Sequence, residues 1–242
     1  MNQRHAAVAH PASQTAPPRA ETAPPEAAQS ATEAGETRAR GRAWRFGLLI
    51  ALAYTLATIL LTWPIATRLT DHLPAFGDPV DSAWRLGWGQ YQLLRDPLRI
   101  FDANVFYPYA RSYLFDELLI GIAIITLPLR LITDNPVAIY NVALLSSFVL
   151  SALAMYALAR RLRCTPPAAF AAGLIYAFAP LHMAHLTHLG LLSGQYFPLA
   201  VLLLDRIFAP DPGAGPLVRW RDALLLALVL ALQALSAQYY AL

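Results

Sequence analysis

The sequence has 242 residues, of which 57% are hydrophobic and only 14% are charged. A soluble globular domain has roughly one quarter charged residues, so this composition excludes an ordinary soluble domain and favours a membrane protein. The formal charge of +3 does not indicate a nucleic-acid partner, because most of the arginines flank apolar segments, as the positive-inside rule describes for membrane proteins.

The N-terminal residues 1–42 are rich in Ala, Pro, Thr, Ser and Glu and show no apolar periodicity. Such a segment buries too little apolar surface to offset its chain entropy, which predicts a disordered cytoplasmic tail. Four arginines lie immediately before the first apolar segment and are expected to hold that end in the cytoplasm: Arg38, Arg40, Arg42 and Arg45. Residues 43–242 are the predicted transmembrane region, and we expect an all-α polytopic bundle.

Four apolar segments approach the roughly 20 residues that cross the hydrocarbon core of a bilayer, and two are shorter. The four predicted crossings are 46–65, 137–159, 189–208 and 223–242, and the shorter segments are 118–132 and 168–179. The last crossing lacks a polar stop, so we expect the chain to be part of a larger protein.

The predicted outer loop, residues 66–117, holds seven of the fifteen acids. In it, Asp81 is expected to cap an interfacial helix that runs to about Leu94 and presents aromatic rings towards the bilayer surface. The seven acids are Asp71, Asp78, Asp81, Asp96, Asp102, Asp116 and Glu117, and the helix carries Trp84, Trp88 and Tyr91.

Asn135 and Pro136 predict the start of a long apolar helix, with Asn as cap and Pro in the first turn. The arginines at 160, 161 and 163 end this helix and favour a cytoplasmic end. Because the first crossing leaves the cytoplasm and this helix re-enters it, segment 118–132 cannot also cross. We expect that segment to be interfacial or re-entrant.

Asp78 and Asp81 lie three residues apart and admit two interpretations. They can present two carboxylates to one ligand, as a general base or as ligands of a divalent metal such as Mg²⁺ or Mn²⁺. Alternatively, Asp78 shapes the turn before Pro79 and Asp81 caps the helix. Asp116 and Glu117 are expected to complement a helix dipole unless the fold brings them near Asp78.

Other polar residues offer weaker signals. His182, His185 and His188 recur every third residue, and interfacial histidines explain this spacing better than metal ligation. The planar fork of arginine suits phosphate, but a lipid headgroup or an acid in the loop would satisfy each loop arginine equally well. The single cysteine, Cys164, excludes an intramolecular disulfide.

Several motifs together resemble the N-terminal part of bacterial multi-span proteins related to the GT-C glycosyltransferases. The resemblance covers residues 44–242. It is carried by Gly77-Asp78-Pro79-Val80-Asp81-Ser82-Ala83-Trp84, Ala103-Asn104-Val105-Phe106-Tyr107-Pro108, Asn135-Pro136-Val137 with Tyr140-Asn141, Tyr176-Ala177-Phe178-Ala179-Pro180, and His185-Leu186 with His188-Leu189.

This resemblance implies transfer of a sugar from a polyprenyl-phosphate carrier to an acceptor outside the cytoplasm, at a bacterial inner membrane. It implies that Asp78 or Asp81 acts on the acceptor hydroxyl, with a divalent metal helping to hold the carrier phosphate. Membrane lipids and the lipid-linked sugar are the expected partners. The alternative is a non-enzymatic lipid or polysaccharide carrier or an assembly subunit. The residues expected to bind substrate are Arg85, Tyr107, Arg111, Glu117, His185 and His188.

Overall fold

The structure is a computed structural model that describes the backbone of residues 25–209 and 215–240, and side chains from residue 41 onward. Over these residues it contains helices and no strand, which confirms the all-α prediction. The eight α-helices are α1 (Pro25–Leu61), α2 (Asp78–Arg95), α3 (Ile120–Thr126), α4 (Pro136–Arg161), α5 (Pro166–Ala177), α6 (Pro180–Ala184), α7 (Tyr196–Phe208) and α8 (Pro216–Ser236).

The chain divides into two units, Met1–Phe46 and Gly47–Leu242. In the first unit, α1 begins at Pro25, earlier than the predicted end of the tail. Residues 26–42 contain many Ala, Glu, Gln and Arg, which are good helix formers, and the apolar helix that follows supplies the nucleus for helix extension. The disorder predicted for residues 1–24 lies outside the described residues.

Within the described ranges, three segments are long and apolar enough to cross a membrane: Gly41–Leu61, Pro136–Arg161 and Pro166–Ala184. The first two match predicted crossings, and the third extends the short segment 168–179. Segment 118–132 contains only α3 and a following 3₁₀ turn, Leu127–Leu131, so its apolar helical part is shorter than a bilayer crossing.

Two predicted crossings have a different form. In segment 189–208, helix begins only at Tyr196, because the glycines at 190 and 194 favour turns over helix. The segment 223–242 belongs to α8, which starts earlier, at Pro216, and stops at Ser236. Charged residues in the first turns of α8 lower its hydropathy, and it is not among the three apolar spans.

The main core of the second unit lies where α2, α3 and α4 meet. Leu86 of α2, Leu119 before α3, and Tyr140 and Leu144 of α4 are all fully buried and belong to one cluster. A second cluster joins α1 to α4 and α5, where the Tyr54 ring stacks on Phe170 with centroids 4.7 Å apart. These contacts fix α2 beside the apolar spans.

Asn141 of α4 and its N-cap residue Asn135 hold the chain that leads into α2. Asn141 donates hydrogen bonds from Nδ2 to the carbonyl oxygens of Leu69 (2.9 Å) and His72 (2.7 Å). Asn135 donates to the carbonyl oxygen of Thr70 at 2.8 Å. The oxygen of Asn135 accepts from the amides of Val137 and Ala138, at 2.9 and 3.2 Å, which confirms its predicted role as helix cap.

Helix α2 starts four residues earlier than predicted, at Asp78 and not at Ser82. Gly77 precedes it with a φ of 96°, a left-handed conformation that glycine adopts without steric penalty. Asp78 and Pro79 then form the first turn. Asp81 does not cap the helix as predicted, because its carboxylate pairs instead with Arg85, one turn further along the same face.

The Asn135 cap provides a first test of the fold. We expect Asn135→Ala to lower the free energy of unfolding by about 1 kcal/mol, because the cap oxygen that accepts from two amides and the donor to Thr70 are lost. Asn135→Asp is the matched control, since it keeps the cap oxygen and loses only that donor. Unfolding in detergent micelles measures both, and equal stability of the two variants would contradict the capping role.

Candidate functional site

A cavity of about 250 Å³, here called the acidic pocket, lies at the N-terminal end of α2. It brings together four carboxylates, one guanidinium and one imidazole, which come from three separate segments of the chain. The lining residues are Asp78, Asp81, Ser82, Arg85, Asp116, Glu117, His188 and Tyr239. Five of the eight predicted site residues are therefore in one pocket: Asp78, Asp81, Arg85, Glu117 and His188.

Helix α2 supplies one wall of the pocket through its periodicity. Positions 78, 81, 82 and 85 are separated by three or four residues, and residues with this spacing lie on one face of an α-helix. The other walls come from residues 116–117 before α3, from His188 after α6, and from Tyr239 in the 3₁₀ turn Gln238–Tyr240 that follows α8.

Arg85 holds two walls of the pocket together. Its side chain is only 4% exposed. The guanidinium donates from Nε to the carboxylate of Asp81, from Nη2 to Asp116 Oδ2 at 3.1 Å, and from Nη1 to the Tyr113 carbonyl oxygen at 3.1 Å. These contacts use most of its five N–H donors. Arg85 therefore positions the two acids, and few of its donors remain for the phosphate that an arginine in this loop could have bound.

The Arg85 guanidinium also lies over the ring of Tyr113, 5.5 Å from the ring centroid. Burial raises the pKa of Tyr113 to about 12, although the nearby Arg85 charge acts in the opposite direction. Tyr113 therefore stays neutral and donates a hydrogen bond to the Arg85 carbonyl oxygen at 3.3 Å. The Arg85–Tyr113 pair therefore adds no negative charge next to the pocket.

Asp78 and His188 form an ion pair that is open to solvent. His188 Nε2 lies 3.0 Å from Asp78 Oδ2, and the two side chains are 40% and 63% exposed. Because the carboxylate accepts, Nε2 carries the proton. The hydroxyl of Thr187 lies 3.0 Å from Nδ1 and can donate to it when the ring is neutral. The contact orients Asp78 and leaves its second oxygen for a ligand.

Glu117 occupies a more protected position than the three aspartates. Burial is the largest cause that raises its pKa, and the Asp116 charge adds to this effect, whereas His188 and Arg85 oppose it. Gly190 makes room for this carboxylate: a Cβ there would lie 2.7 Å from Glu117 Oε2. Glu117 thus keeps its proton to a higher pH than an ordinary glutamate.

Three predicted site residues lie outside the pocket. Tyr107 is 97% exposed. Arg111 is also exposed, and its backbone amide donates to Asp102 Oδ1 at 3.1 Å. His185 Nδ1 donates to the Leu181 carbonyl oxygen at 2.7 Å, and its ring contacts His188 edge to face with centroids 5.7 Å apart. His185 therefore contacts the pocket residue His188 without lining the pocket itself.

The structure adds three residues that were not predicted as site residues. Ser82 follows Asp78 by one helical turn, and Asp116 adjoins Glu117, so both could have been found from their spacing. No local signal identifies Tyr239, because its place in the pocket depends on how α8 packs against α3.

The predicted metal ligands already have side-chain partners, Asp78 the imidazole of His188 and Asp81 the guanidinium of Arg85. Over the described part of the chain, no three His, Cys, Asp or Glu side chains are grouped so as to hold a metal ion. The side chains present thus do not form a ready metal site, and a divalent metal stays a prediction from the resemblance.

No protein-family model, curated protein or solved structure matches this chain. The function therefore has to be inferred from the chemistry of the acidic pocket and its place beside apolar helices.

Replacing Arg85 tests its role as the link between the pocket walls. We expect Arg85→Met to lower the free energy of unfolding by about 2 kcal/mol, because the Tyr113 carbonyl loses its donor and the two acids lose their partner. Arg99→Met is the matched control, since Arg99 is 74% exposed and lies 3.7 Å from Asp96; its loss is expected to be under about 0.5 kcal/mol. Similar losses for both would refute the link.

Glu117 predicts a pH dependence of stability. Its folded pKa is raised above the ordinary value of 4.5, so the folded state binds this proton more tightly than the unfolded state. The stabilisation is fully present below that ordinary value and is lost as pH rises through the raised pKa. Glu117→Gln lacks this titration, so wild-type stability is expected to fall relative to the variant as pH rises from the ordinary value of 4.5 through the raised pKa.

Both proteins are compared in a His188→Gln background, which removes the imidazole whose charge also acts on Glu117. Unfolding temperatures in detergent across this range are the measurement. Parallel curves for the two proteins would show that the Glu117 carboxyl is not perturbed.

Proposed function

We propose that this chain is the membrane-embedded part of a glycosyltransferase that moves a sugar from a polyprenyl-phosphate carrier to an acceptor outside the cytoplasm. The observation that carries the proposal is the Asp78–His188 pair, with 3.0 Å between Nε2 and Oδ2, in a cavity of about 250 Å³. Three apolar spans in the same chain supply a reason for a lipid-borne substrate.

Asp78 is the proposed general base. Its exposure makes it accessible to a hydroxyl group, and the hydrogen bond from His188 holds one of its oxygens in place. The second oxygen then accepts the proton of the acceptor hydroxyl. A positioned base contributes roughly 10²–10⁴ in rate.

In the proposed step, the acceptor oxygen forms a bond to the anomeric carbon of the sugar while the bond from that carbon to the carrier phosphate breaks. The proton passes from the acceptor to Asp78, and the phosphate leaves on its lipid with the bonding electrons. No oxidant or nucleotide is needed.

The charge of the pocket constrains how the phosphate approaches. Four carboxylates line it against one arginine and one histidine, so a phosphate would be repelled if all the acids were ionised. The raised pKa of Glu117 reduces this repulsion, because its protonated form is neutral and can donate a hydrogen bond to a phosphate oxygen. His188, when protonated, contributes the matching positive charge.

The test uses the purified full chain in lipid nanodiscs with a short-chain polyprenyl-phosphate hexose and water as the simplest acceptor. Release of free hexose reports the bond-breaking step without knowledge of the natural acceptor. We expect Asp78→Asn to lower kcat about 100-fold or more, because the base is removed while the shape of the side chain is kept. His188→Gln is expected to have a smaller effect, since it removes only the orienting contact.

Asp71→Asn is the matched control, because Asp71 lies in the same outer loop, pairs with Arg68 and His72, and does not line the pocket. Turnover that is unchanged in Asp78→Asn, or a wild-type protein that releases no hexose, would reject the transferase. The alternative of a non-enzymatic lipid or polysaccharide carrier or an assembly subunit would then be favoured.

A further inference from the structure

A second cavity, here called the apolar groove, lies between α1, α4 and the short apolar segment that contains α3. Its volume is about 560 Å³, within the range of about 300–1,000 Å³ typical of small-molecule sites. Its walls include Thr55 and Ile59 of α1, Leu129 after α3, and Leu145 and Val149 of α4. Two of the helices that form it, α1 and α4, contain candidate membrane spans.

A smaller cavity of about 30 Å³, the polar recess, adjoins the groove. The two cavities share four wall residues, so the recess is the inner end of the groove. The shared residues are Ile125, Thr126, Ser146 and Leu150. Beyond them the recess is lined by the polar residues Ser147, Ser193, Gln195 and Tyr196, which are 3%, 2%, 7% and 4% exposed, and by the apolar residues Ile122, Ala143 and Leu189. A groove with apolar walls therefore ends at a recess where polar side chains lie among apolar ones.

Gln195 brings an unsatisfied acceptor to the recess. Its Oε1 is buried and has no hydrogen-bond partner among the described residues, and leaving such an atom unpaired costs about 1–3 kcal/mol. Two neighbouring hydroxyls do not supply the missing donor, since Ser147 donates to the Leu144 carbonyl oxygen and Thr126 donates to that of Ile122. The recess thus favours a ligand group that donates a hydrogen bond.

The ligand group must also be uncharged. Neither the groove nor the recess has an acidic or basic residue in its lining, and transfer of an unpaired phosphate or ammonium group from water into such a site is strongly unfavourable. The apolar walls beside two candidate membrane spans match the hydrocarbon chain of a lipid. A hydroxyl group on that lipid supplies the hydrogen-bond donor that Gln195 Oε1 lacks.

We propose that the apolar groove binds a membrane lipid with an uncharged, hydroxyl-bearing head, and that this hydroxyl donates to Gln195 Oε1 in the polar recess. A long-chain alcohol and an acylglycerol share this chemistry. The site has no lining residue in common with the acidic pocket. It is therefore independent of the proposed transferase, and either can fail while the other holds.

The experiment is photolabelling of the full chain in phosphatidylcholine nanodiscs with hexadecanol that carries a diazirine in its chain. We expect saturable labelling of peptides from α1 and α4 that face the groove. Gln195→Met keeps the side-chain volume but removes the acceptor, and is expected to raise the half-saturating concentration about fivefold, the loss of one hydrogen bond. Ser146→Phe, which fills the junction of the two cavities, is expected to abolish labelling.

Gln233→Met is the matched control, because Gln233 is also buried, at 6% exposure, has an unpaired amide, and lines neither cavity. It is expected to label like wild type. Competition identifies the lipid: hexadecanol or monooleoylglycerol should displace the probe, whereas hexadecane and hexadecyl phosphate should not. Equal displacement of the probe by hexadecane or by hexadecyl phosphate would overturn the proposal. An unchanged half-saturating concentration in Gln195→Met would also overturn it, and a bound water would then be the partner of Gln195.

Discussion

The buried guanidinium of Arg85 is the interaction on which the site depends. One rigid, planar cation reaches Asp81 on its own helix, Asp116 across the pocket and the Tyr113 backbone beneath it. A lysine offers a point charge and cannot span three directions with fixed geometry. The guanidinium therefore holds acidic side chains, which would otherwise repel one another, at defined positions in the pocket wall.

This neutralisation leaves the remaining acids free for other tasks. Asp81 and Asp116 are occupied by Arg85, whereas Asp78 is exposed beside His188 and Glu117 is sheltered next to Gly190. Two carboxyls in one small cavity thus have different surroundings, and such differences separate a group that accepts protons from one that retains its proton. The apolar groove, by contrast, has no charged residue in its lining, so charged and apolar side chains form separate cavities in the fold.

The sequence predicted features that depend on neighbouring residues and missed those that depend on packing. The cap at Asn135 was correct because its partners are the next amides in the chain. Asp81 was wrongly predicted to cap α2, because Arg85 one turn away competes for the same carboxylate. Segment 189–208 is as hydrophobic as a membrane crossing, but its hydropathy does not show that its glycines favour turns over helix. Tyr239 reaches the pocket only through the tertiary arrangement.

Gly190 has a consequence for how such a chain can diverge. The smallest side chain at this position would meet Glu117 Oε2 at 2.7 Å, so the two positions are coupled. Because that oxygen ends a flexible side chain, a descendant that gains a methyl group at 190 must turn, shorten or relocate the acid at 117. Paired replacement at these two positions would thus mark distant relatives that have kept the same cavity after the rest of their sequence has become unrecognisable.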